Sequence, residues 1–304
     1  MRPPVPAPMS AIPATETRAR RLSAALFRHP RLKLATLLGP PVTWMLVVYL
    51  TSLALLLATA FWRLDSLTSD VVRDFGLQNF QTLAESPVYR TITLRTMGMA
   101  AAVTVTDLIL AVPIAYYAAR MASPRMRPIL LFAVVMPLWS NYLVRVFAWR
   151  TIMSGGGPFQ AFLGAFGVDV NLAFSNWAVW LTFSYLWLPY AILPVYAAFE
   201  RVPGSLLEAS SDLGARNWRT FRRIVVPLVF PGLVAASIFT FSLTLGDYIT
   251  PVLVGKSFFI GNTIYNLAGV ASNLPLAAAY AVVPVVIMAV YLMIARRLGA
   301  FEAL

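Results

Sequence analysis

The chain alternates long apolar runs with shorter polar segments, most of them basic. About six runs approach the roughly 20 residues that a helix needs to cross a bilayer core. These runs extend over Pro41–Trp62, Thr91–Ala119, Pro128–Met153, Asn176–Phe199, Pro227–Ile249 and Ala277–Ala295. The pattern therefore predicts an all-α membrane protein with about six transmembrane helices.

The segments between the runs differ in character. Residues 63–85 are polar and predict a loop with a short helix at its end, on the far side of the membrane. The loop up to Ser175 carries little charge and is predicted to approach the membrane interface. Residues 250–276 are predicted to form an irregular loop. Residues 1–39 are rich in Pro, Ala and Arg, and predict a disordered basic tail near anionic lipid, not a cleavable signal peptide.

Positive charge marks every second segment. The basic clusters lie in the N-terminal arm, at 120–127, at 201–223 and at Arg296-Arg297, whereas the opposite segments hold little more than Arg63, Arg73 and Lys256. Because basic loops stay in the cytoplasm, both termini and the 201–227 segment are predicted to be cytoplasmic. The net charge of +12 is then explained by topology, so no nucleic-acid partner is expected.

Composition supports the membrane assignment and excludes several kinds of chemistry. Hydrophobic residues make up 59% of the 304 residues, only 12% are charged, and the mean hydropathy is +0.73. The chain has no Cys and a single His, His29. Disulfide frameworks, thiolate metal sites and His-based catalytic or metal sites are therefore excluded within the chain. We expect no catalytic site and no metal site, which argues against a membrane-embedded enzyme.

Charged residues inside or beside the runs are candidates for function. Asp107, Arg145 and Asp247 would each cost about 2.5–3.5 kcal/mol at the centre of a spanning helix, so they are predicted to avoid lipid. In a structural interpretation, Arg145 pairs with Asp107 or binds freed carbonyls. In a functional interpretation, the charged residues line a path for substrate. The candidate path residues are Asp247, Tyr248, Asp107, Arg145, Trp139, Asn141 and Tyr185.

The polar segment at 201–228 predicts a helix–turn–helix outside the bilayer. Ser205 and Glu208 have the spacing of a capping box, and Gly214 suits the left-handed residue that ends a helix. A second short amphipathic helix is predicted to end before Pro227, with apolar residues at Trp218, Phe221 and Ile224. An ordinary capped loop has the same local features.

The same segment resembles the Glu-Ala-Ala loop of the permease subunits of ABC importers. The matching residues are Glu208, Ala209, Ser210, Gly214, Ile224 and Pro227. Ser210 replaces the second Ala of the family pattern, and Val226 replaces a Leu. In that family the loop is the coupling helix that binds in a cleft of the ATPase subunit. The resemblance therefore implies that these six residues couple the chain to an ATPase.

A wider resemblance, to the type I importer permease domain, runs from about Leu94 to Arg297. It implies a helix bundle of that type, with a permease domain over 91–298, a coupling loop at 201–227, and the first helix and an outer, periplasmic loop over 40–90. Within this class, residues 137–145, 246–255 and 260–262 resemble the polyamine (spermidine/putrescine) permease group. The implied solute is a polyamine or related amine. Another small organic solute is the alternative.

The resemblance also implies partners. A solute-binding protein delivers the solute, a second and distinct permease subunit completes the path, and an ATPase dimer drives it in the inner membrane of a bacterium. Because the chain has no Gly-x-x-x-x-Gly-Lys-Ser/Thr loop, ATP and Mg are expected on the ATPase partner, and no cofactor in this chain. A rival hypothesis is an ion-coupled secondary transporter, in which Asp107 and Asp247 relay protons. The halves show no convincing inverted repeat, which disfavours it.

Overall fold

The computed structural model describes residues 30–297 except 66, 67, 69 and 168–171. The chain divides into two compact units, 1–56 and 57–304. The first unit contains most of helix α1, Pro30–Thr59. The prediction of a disordered tail reaching residue 39 is therefore wrong beyond Pro30, because Leu, Lys and Ala dominate residues 31–38 and favour helix. The rest of that predicted tail, 1–29, lies outside the described residues.

The second unit begins with a small hairpin that the sequence did not predict. Strand β1, Arg63–Leu64, pairs antiparallel with β2, Val71–Val72. The predicted short helix at the end of this loop is confirmed as α2, Gln78–Glu85. The amide of Asn79 donates to the backbone carbonyls of Ala60, at 2.8 Å, and of Trp62, at 2.6 Å. These bonds join α2 to the turn at residues 60–62 that precedes β1.

Three long helices form the centre of this unit. They are α3, Pro87–Tyr116, α7, Asn176–Glu200, and α10, Val226–Gly246, and each packs against the other two. A Cβ built at Gly232 would lie 2.3 Å from the Cβ of Ala198, so the glycine allows α10 to approach α7 closely. The residues that these helices bury are mostly apolar, but they include polar side chains such as Thr104, Asp107 and Thr240.

The third predicted span is broken. It consists of α4, Met126–Val135, a 3₁₀ turn, Met136–Trp139, and α5, Tyr142–Met153, followed by α6, Pro158–Gly164. The two parts are bent by 92°. The 3₁₀ turn contains Pro137, which lacks an N–H, and the side chain of Asn141 starts α5 by accepting from the N–H of Leu143 at 2.8 Å. The described residues thus hold five spanning helices, or six with the bent pair, which confirms the predicted number.

The prediction of an irregular loop over 250–276 is wrong. Two short helices fill it, α11, Ile249–Val254, and α12, Ile260–Gly269, before the last span α13, Leu274–Arg297. The side-chain oxygen of Asn262 accepts from the N–H of Phe259 at 2.6 Å and so stabilises the start of α12. Gly261 lies directly against the backbone of Asp247, so α12 packs on the break between α10 and α11.

Candidate functional site

The predicted coupling loop begins with α8, Gly204–Asp212. The residue before this helix is Pro203, which has an extended backbone and makes no side-chain capping bond. Ser205 therefore lies inside the first turn, and the predicted capping box between Ser205 and Glu208 is wrong. Since proline fixes its own φ, Pro203 directs the chain into the helix without a hydroxyl cap. Glu208 and Ala209 are both exposed.

The end of α8 is as predicted. Gly214 has a φ of +75°, which confirms the left-handed helix stop. Its N–H donates to the carbonyl of Ser211 at 2.8 Å, and the N–H of Ala215 donates to the carbonyl of Ser210 at 3.1 Å. This pair of bonds is a Schellman motif, and it satisfies two of the carbonyls that a helix end leaves free.

Ser210 joins the two parts of the loop. Its side chain is only 7% exposed, and its Oγ lies 2.7 Å from the Oγ1 of Thr220 in α9, Asn217–Thr220. The family pattern has Ala at this position, so the hydroxyl is a local addition. Thr220 was not singled out from the sequence, because nothing in its spacing marks it as the partner of Ser210.

The second helix of the loop was predicted to end before Pro227, and this prediction is wrong. A π-helical turn at Phe221–Val225 connects α9 to α10, so one helix runs over Asn217–Gly246. The N–H of Val226 donates to the carbonyl of Phe221, five residues back. Pro227 then lies in the first turn of α10, where its missing N–H is tolerated within the continuous helix. Ile224 is half-buried within the π-helical turn.

The loop has an anchored face and an open face. Leu207 and Phe221 pack against a buried cluster that includes Ala118, Phe199 and Val225, from three different elements. On the other side, Leu213 is 88% exposed and Trp218 is 70% exposed. Large apolar side chains this exposed on a polar loop are typical of a surface that binds another protein. We call Leu213, Arg216, Trp218 and Arg219 the open face of the loop.

Asp247 occupies the break between α10 and α11. Its Oδ1 accepts from the N–H of Ile249 at 2.7 Å and from the N–H of Thr250 at 3.1 Å. Its Oδ2 accepts from the hydroxyl of Tyr142, and from the hydroxyl of Thr250 at 3.2 Å. The carboxylate therefore starts α11 and also connects it to α5. Tyr142 and Thr250 were not predicted as partners of Asp247, although both lie within the segments that carry the polyamine-group resemblance.

Two aromatic pairs include a residue that bonds Asp247 or follows it directly in the chain. Tyr142 stacks on Trp187 with ring centroids 6.1 Å apart, and Tyr248 stacks on Tyr265 at 5.0 Å. Both Tyr248 and Tyr265 are exposed. The hydroxyl of Tyr142 bonds the carboxylate and its ring stacks on Trp187, so an acidic group and aromatic rings occur in one connected set, which suits a cationic ligand.

Three predicted path residues have other contacts. Trp139 is exposed and contacts Phe132, Tyr185 packs against Trp149, and Asn141 starts α5. Within the part of the chain that the structure describes, no hydrogen bond or ring contact connects any of the three to Asp247. Their assignment to a substrate path stays a prediction.

Asp107 and Arg145 are buried, at 0% and 9% exposure, which confirms that they avoid lipid. They do not pair, so the predicted pairing of Arg145 with Asp107 is wrong, and bonding of Arg145 to freed carbonyls stays a prediction. Both carboxylate oxygens of Asp107 and the Nε and Nη1 of Arg145 lack a hydrogen-bond partner among the described residues. The same is true of the Oγ of Ser184 and the Nε1 of Trp187. We call Asp107, Arg145, Ser184 and Trp187 the unpaired interior groups.

No set of three or more His, Cys, Asp or Glu side chains that could bind a metal ion occurs within the described ranges. The unpaired interior groups can form hydrogen bonds and recognise charge.

Comparison with known proteins identifies the family. Residues 103–300 match the model of the binding-protein-dependent transport system inner membrane component. The chain is 43% identical over 299 residues to the inner membrane ABC transporter permease protein YdcU of Escherichia coli K12, covering 93% of this chain and 95% of that protein. It is 32% identical over 262 residues to the spermidine/putrescine transport system permease protein PotB of Salmonella typhimurium SL1344, covering 84% and 90%.

Solved structures agree on the fold. One neighbour is a bacterial ABC transporter that imports the acidic polysaccharide alginate, with a TM-score of 0.72 and 19% identity over 91% of this chain and 99% of that one. Another is the bacterial alginate transporter in complex with a pentasaccharide-bound periplasmic protein, with a TM-score of 0.74 and 17% identity, covering 92% and 97%. At this identity the likeness concerns the fold alone.

Proposed function

This chain belongs to the family of binding-protein-dependent transport system inner membrane components, and we propose that the solute it carries is a polyamine or a related amine. As an ABC importer permease it is a multi-pass protein of the bacterial inner membrane and not an enzyme. The observation that carries the substrate proposal is the similarity to spermidine/putrescine permeases over 84% of the chain.

The geometry around Asp247 supports an amine. A polyamine presents several ammonium groups joined by short apolar linkers. Asp247 offers a carboxylate bonded to Tyr142, whose ring stacks on Trp187, and the next residue, Tyr248, stacks on Tyr265. An ammonium group next to both a carboxylate and an aromatic face gains from each.

The 201–227 loop is proposed to bind the ATPase dimer. Its open face presents apolar and cationic side chains, whereas its other face is fixed to the helix bundle. ATP and Mg would be bound and used by that partner, and force on α8 would reach α7 and α10 through the chain itself. A second, distinct permease subunit would complete the path, and a solute-binding protein would deliver the amine from the outer side. Both termini of this chain are then cytoplasmic, as the basic loops require.

Uptake by the complete importer tests the proposal. The four kinds of subunit are reconstituted in proteoliposomes with ATP inside, and uptake of radiolabelled putrescine and spermidine is measured. We expect uptake that needs ATP and the binding protein, that does not need an ion gradient, and that stops when the ATPase active site is disabled. Uptake driven by an ion gradient without ATP would contradict the ABC mechanism. Absence of uptake for every amine would contradict the substrate class.

Asp247→Asn sharpens the substrate test. Asn keeps an oxygen that can accept from the backbone N–H groups of α11, but it removes the charge. We expect the KM for putrescine uptake to rise about tenfold, the scale of one charge-assisted hydrogen bond, with the yield of folded chain unchanged. Asp74→Asn is the control, because Asp74 is an exposed carboxylate that forms only a 3.9 Å pair with Arg63. Equal KM values for both variants would exclude Asp247 from recognition.

Arg145 favours a second substrate class. Its guanidinium is buried, is one turn from Tyr142 in α5, and has two unpartnered nitrogens. A small organic solute with a carboxylate or another acceptor group would satisfy them. Competition by unlabelled carboxylates that carry no amine distinguishes the classes in the same assay, since they would reduce putrescine uptake only if the path accepts acceptor groups.

A further inference from the structure

The basic segment after α3 binds the end of α7. The last turn of α3 continues as a π-helical turn, Tyr117–Met121, which contains Arg120. The Nη2 of Arg120 donates to the carbonyl of Phe199, at 2.6 Å, and to the carbonyl of Val202. A helix leaves its last carbonyls without partners, and Phe199 and Val202 are buried, so water has poor access to them. The carbonyl of Phe199 also accepts from the N–H of Val202 at 3.3 Å, so Arg120 adds a second donor there and provides a donor for the carbonyl of Val202. Its charge also suits the negative end of α7.

These carbonyls lie at the start of the coupling loop. Val202 directly precedes Pro203, from which α8 begins, so Arg120 binds the segment that carries α8. Aromatic packing supports the same junction, because Tyr116 places its ring edge-on against Phe199, with centroids at 5.5 Å, and against Phe221, at 5.9 Å. A cavity of about 240 Å³, lined in part by Arg120, remains between α3 and α8. Apolar packing alone therefore does not fill the space between these two helices.

A neighbouring ion pair contributes less. Arg127 lies 3.3 Å from Glu200, but both side chains are roughly 40% exposed, at 39% and 43%. Exposed pairs of this kind contribute little because water screens them. The hydrogen bonds of Arg120 are made to buried carbonyls and also span the turn between α7 and α8. Arg127 also donates to the carbonyl of Ala119 at 2.9 Å, but among the described residues it is Arg120 that bonds the residue directly before Pro203 and α8.

We infer that Arg120 is a positioning residue for coupling: it makes α3 move together with the start of α8 when an ATPase acts on the loop. The inference rests on the proposed binding of an ATPase to this loop. Without Arg120, α8 stays covalently joined to α7 and α10, but its link to α3 is reduced to a partly filled apolar contact. Force on the loop would then change the contacts between α3 and the start of α8 instead of moving α3. Each ATP hydrolysed would therefore transport less solute.

The ratio of solute taken up to ATP hydrolysed tests this role. The complete importer is reconstituted with the wild-type chain, R120Q, R120K or R125Q, and both rates are measured in the same proteoliposomes. Arg125 is an exposed arginine in the same segment with no hydrogen bond to any described side chain, so R125Q controls for loss of charge. We expect R120Q to lower the ratio about tenfold, the scale of one charge-assisted hydrogen bond.

R120K is expected to restore part of the ratio, because a lysine keeps the charge but lacks the planar fork of arginine. A ratio in R120Q equal to that of R125Q overturns the inference, including the case in which uptake and hydrolysis fall in proportion. If R120Q does not assemble, R120K decides: a ratio below wild type supports the inference, and an unchanged ratio overturns it. Failure of the proposed function has a different signature, namely a wild-type importer without ATP-dependent uptake.

Discussion

At the loop end of the molecule, the buried hydroxyl of Ser210 is bonded to Thr220, and the guanidinium of Arg120 is bonded to two carbonyls. In the middle of the spanning helices, the equally buried carboxylate of Asp107 and two nitrogens of Arg145 are bonded to nothing in the described part of the chain. The two regions share the same three long helices. These polar groups differ in whether they have partners, although Thr240 bonds Thr104 at 3.2 Å in the interior and the Nε of Arg127 at the loop end has no partner among the described residues.

The difference indicates two mechanical roles. Hydrogen bonds of fixed geometry restrict the loop end to one arrangement, which suits an element that transmits force. An unsatisfied buried polar group costs about 1–3 kcal/mol, so the unpaired interior groups destabilise the arrangement seen here. A carrier must open a path to each side, and in another arrangement these groups can bind water, solute or each other. We interpret the loop end as the rigid part and the interior as the part that changes.

The largest effect is expected from Gly232→Val, which disrupts the packing of α10 against α7 in the rigid part. A Cβ at this position would lie 2.3 Å from Ala198 Cβ and 3.1 Å from the carbonyl of Pro194, so α10 must move away from α7. Overpacking of this kind costs about 3 kcal/mol, at the upper end of its usual range. Thermal unfolding of the purified chain measures it. Gly98→Val is the control, since a Cβ there has no neighbour within 4 Å. Equal unfolding temperatures for the two variants would contradict a close α7–α10 contact.

Asp107→Asn tests the interior part and should separate stability from activity. If the unpaired carboxylate is retained for transport, replacing it by an amide of the same shape removes the cost of burying a charge, so the free energy of unfolding rises while ATP-driven uptake falls about tenfold. Thermal unfolding and proteoliposome uptake are measured on the same preparations. A variant that is less stable than wild type would show that Asp107 has a structural partner. A variant with normal uptake would remove Asp107 from the path.

Gly214→Val returns to the loop end, with a smaller and more local effect. At a φ of +75°, a side chain costs about 1–2 kcal/mol, and nothing else lies within 4 Å of the new Cβ. We expect unchanged thermal unfolding of the chain but about tenfold less co-purified ATPase, because α8 can no longer end in this geometry. Gly214→Asn is the matched variant, since Asn tolerates the left-handed region. If both variants retain the ATPase equally, the shape of this turn does not matter for docking.

Sequence alone predicted the features that depend on short-range chemistry or on average hydropathy. The number of spans followed from the length of the apolar runs, and the turn at Gly214 followed from the backbone freedom of glycine. The burial of Asp107 and Arg145 followed from the cost of a charge in lipid. Each of these is decided by the residue itself or by its immediate neighbours.

The features that depend on distant partners were missed. The helices over 249–269 read as a loop because Asp247 and Asn262, which start them, also favour turns. The helix through Pro227 was predicted to stop, because a π-helical turn leaves no signal in a helix-period pattern. The bonds of Arg120 to α7 join residues 79 and 82 positions apart, so no local pattern could reveal them.

The smallest effect is expected from Ser210→Ala, which removes one bond from the rigid part and restores the residue of the family pattern. Loss of the 2.7 Å contact with Thr220 leaves a hydroxyl without its partner and should cost about 0.5–1.5 kcal/mol. Because the bond joins α8 to α9, hydrogen exchange of the α8 amides should quicken about two- to tenfold while global unfolding is unchanged. Ser211→Ala is the control, since its hydroxyl bonds only within α8, to the carbonyl of Glu208.

Thr220→Val should reproduce the effect, and the double variant should add little to either single one, because both remove the same bond. Additive effects would mean that the two hydroxyls act separately. The loop would then be held in place by the packing of Leu207 and Phe221 and by the hydrogen bonds of Arg120.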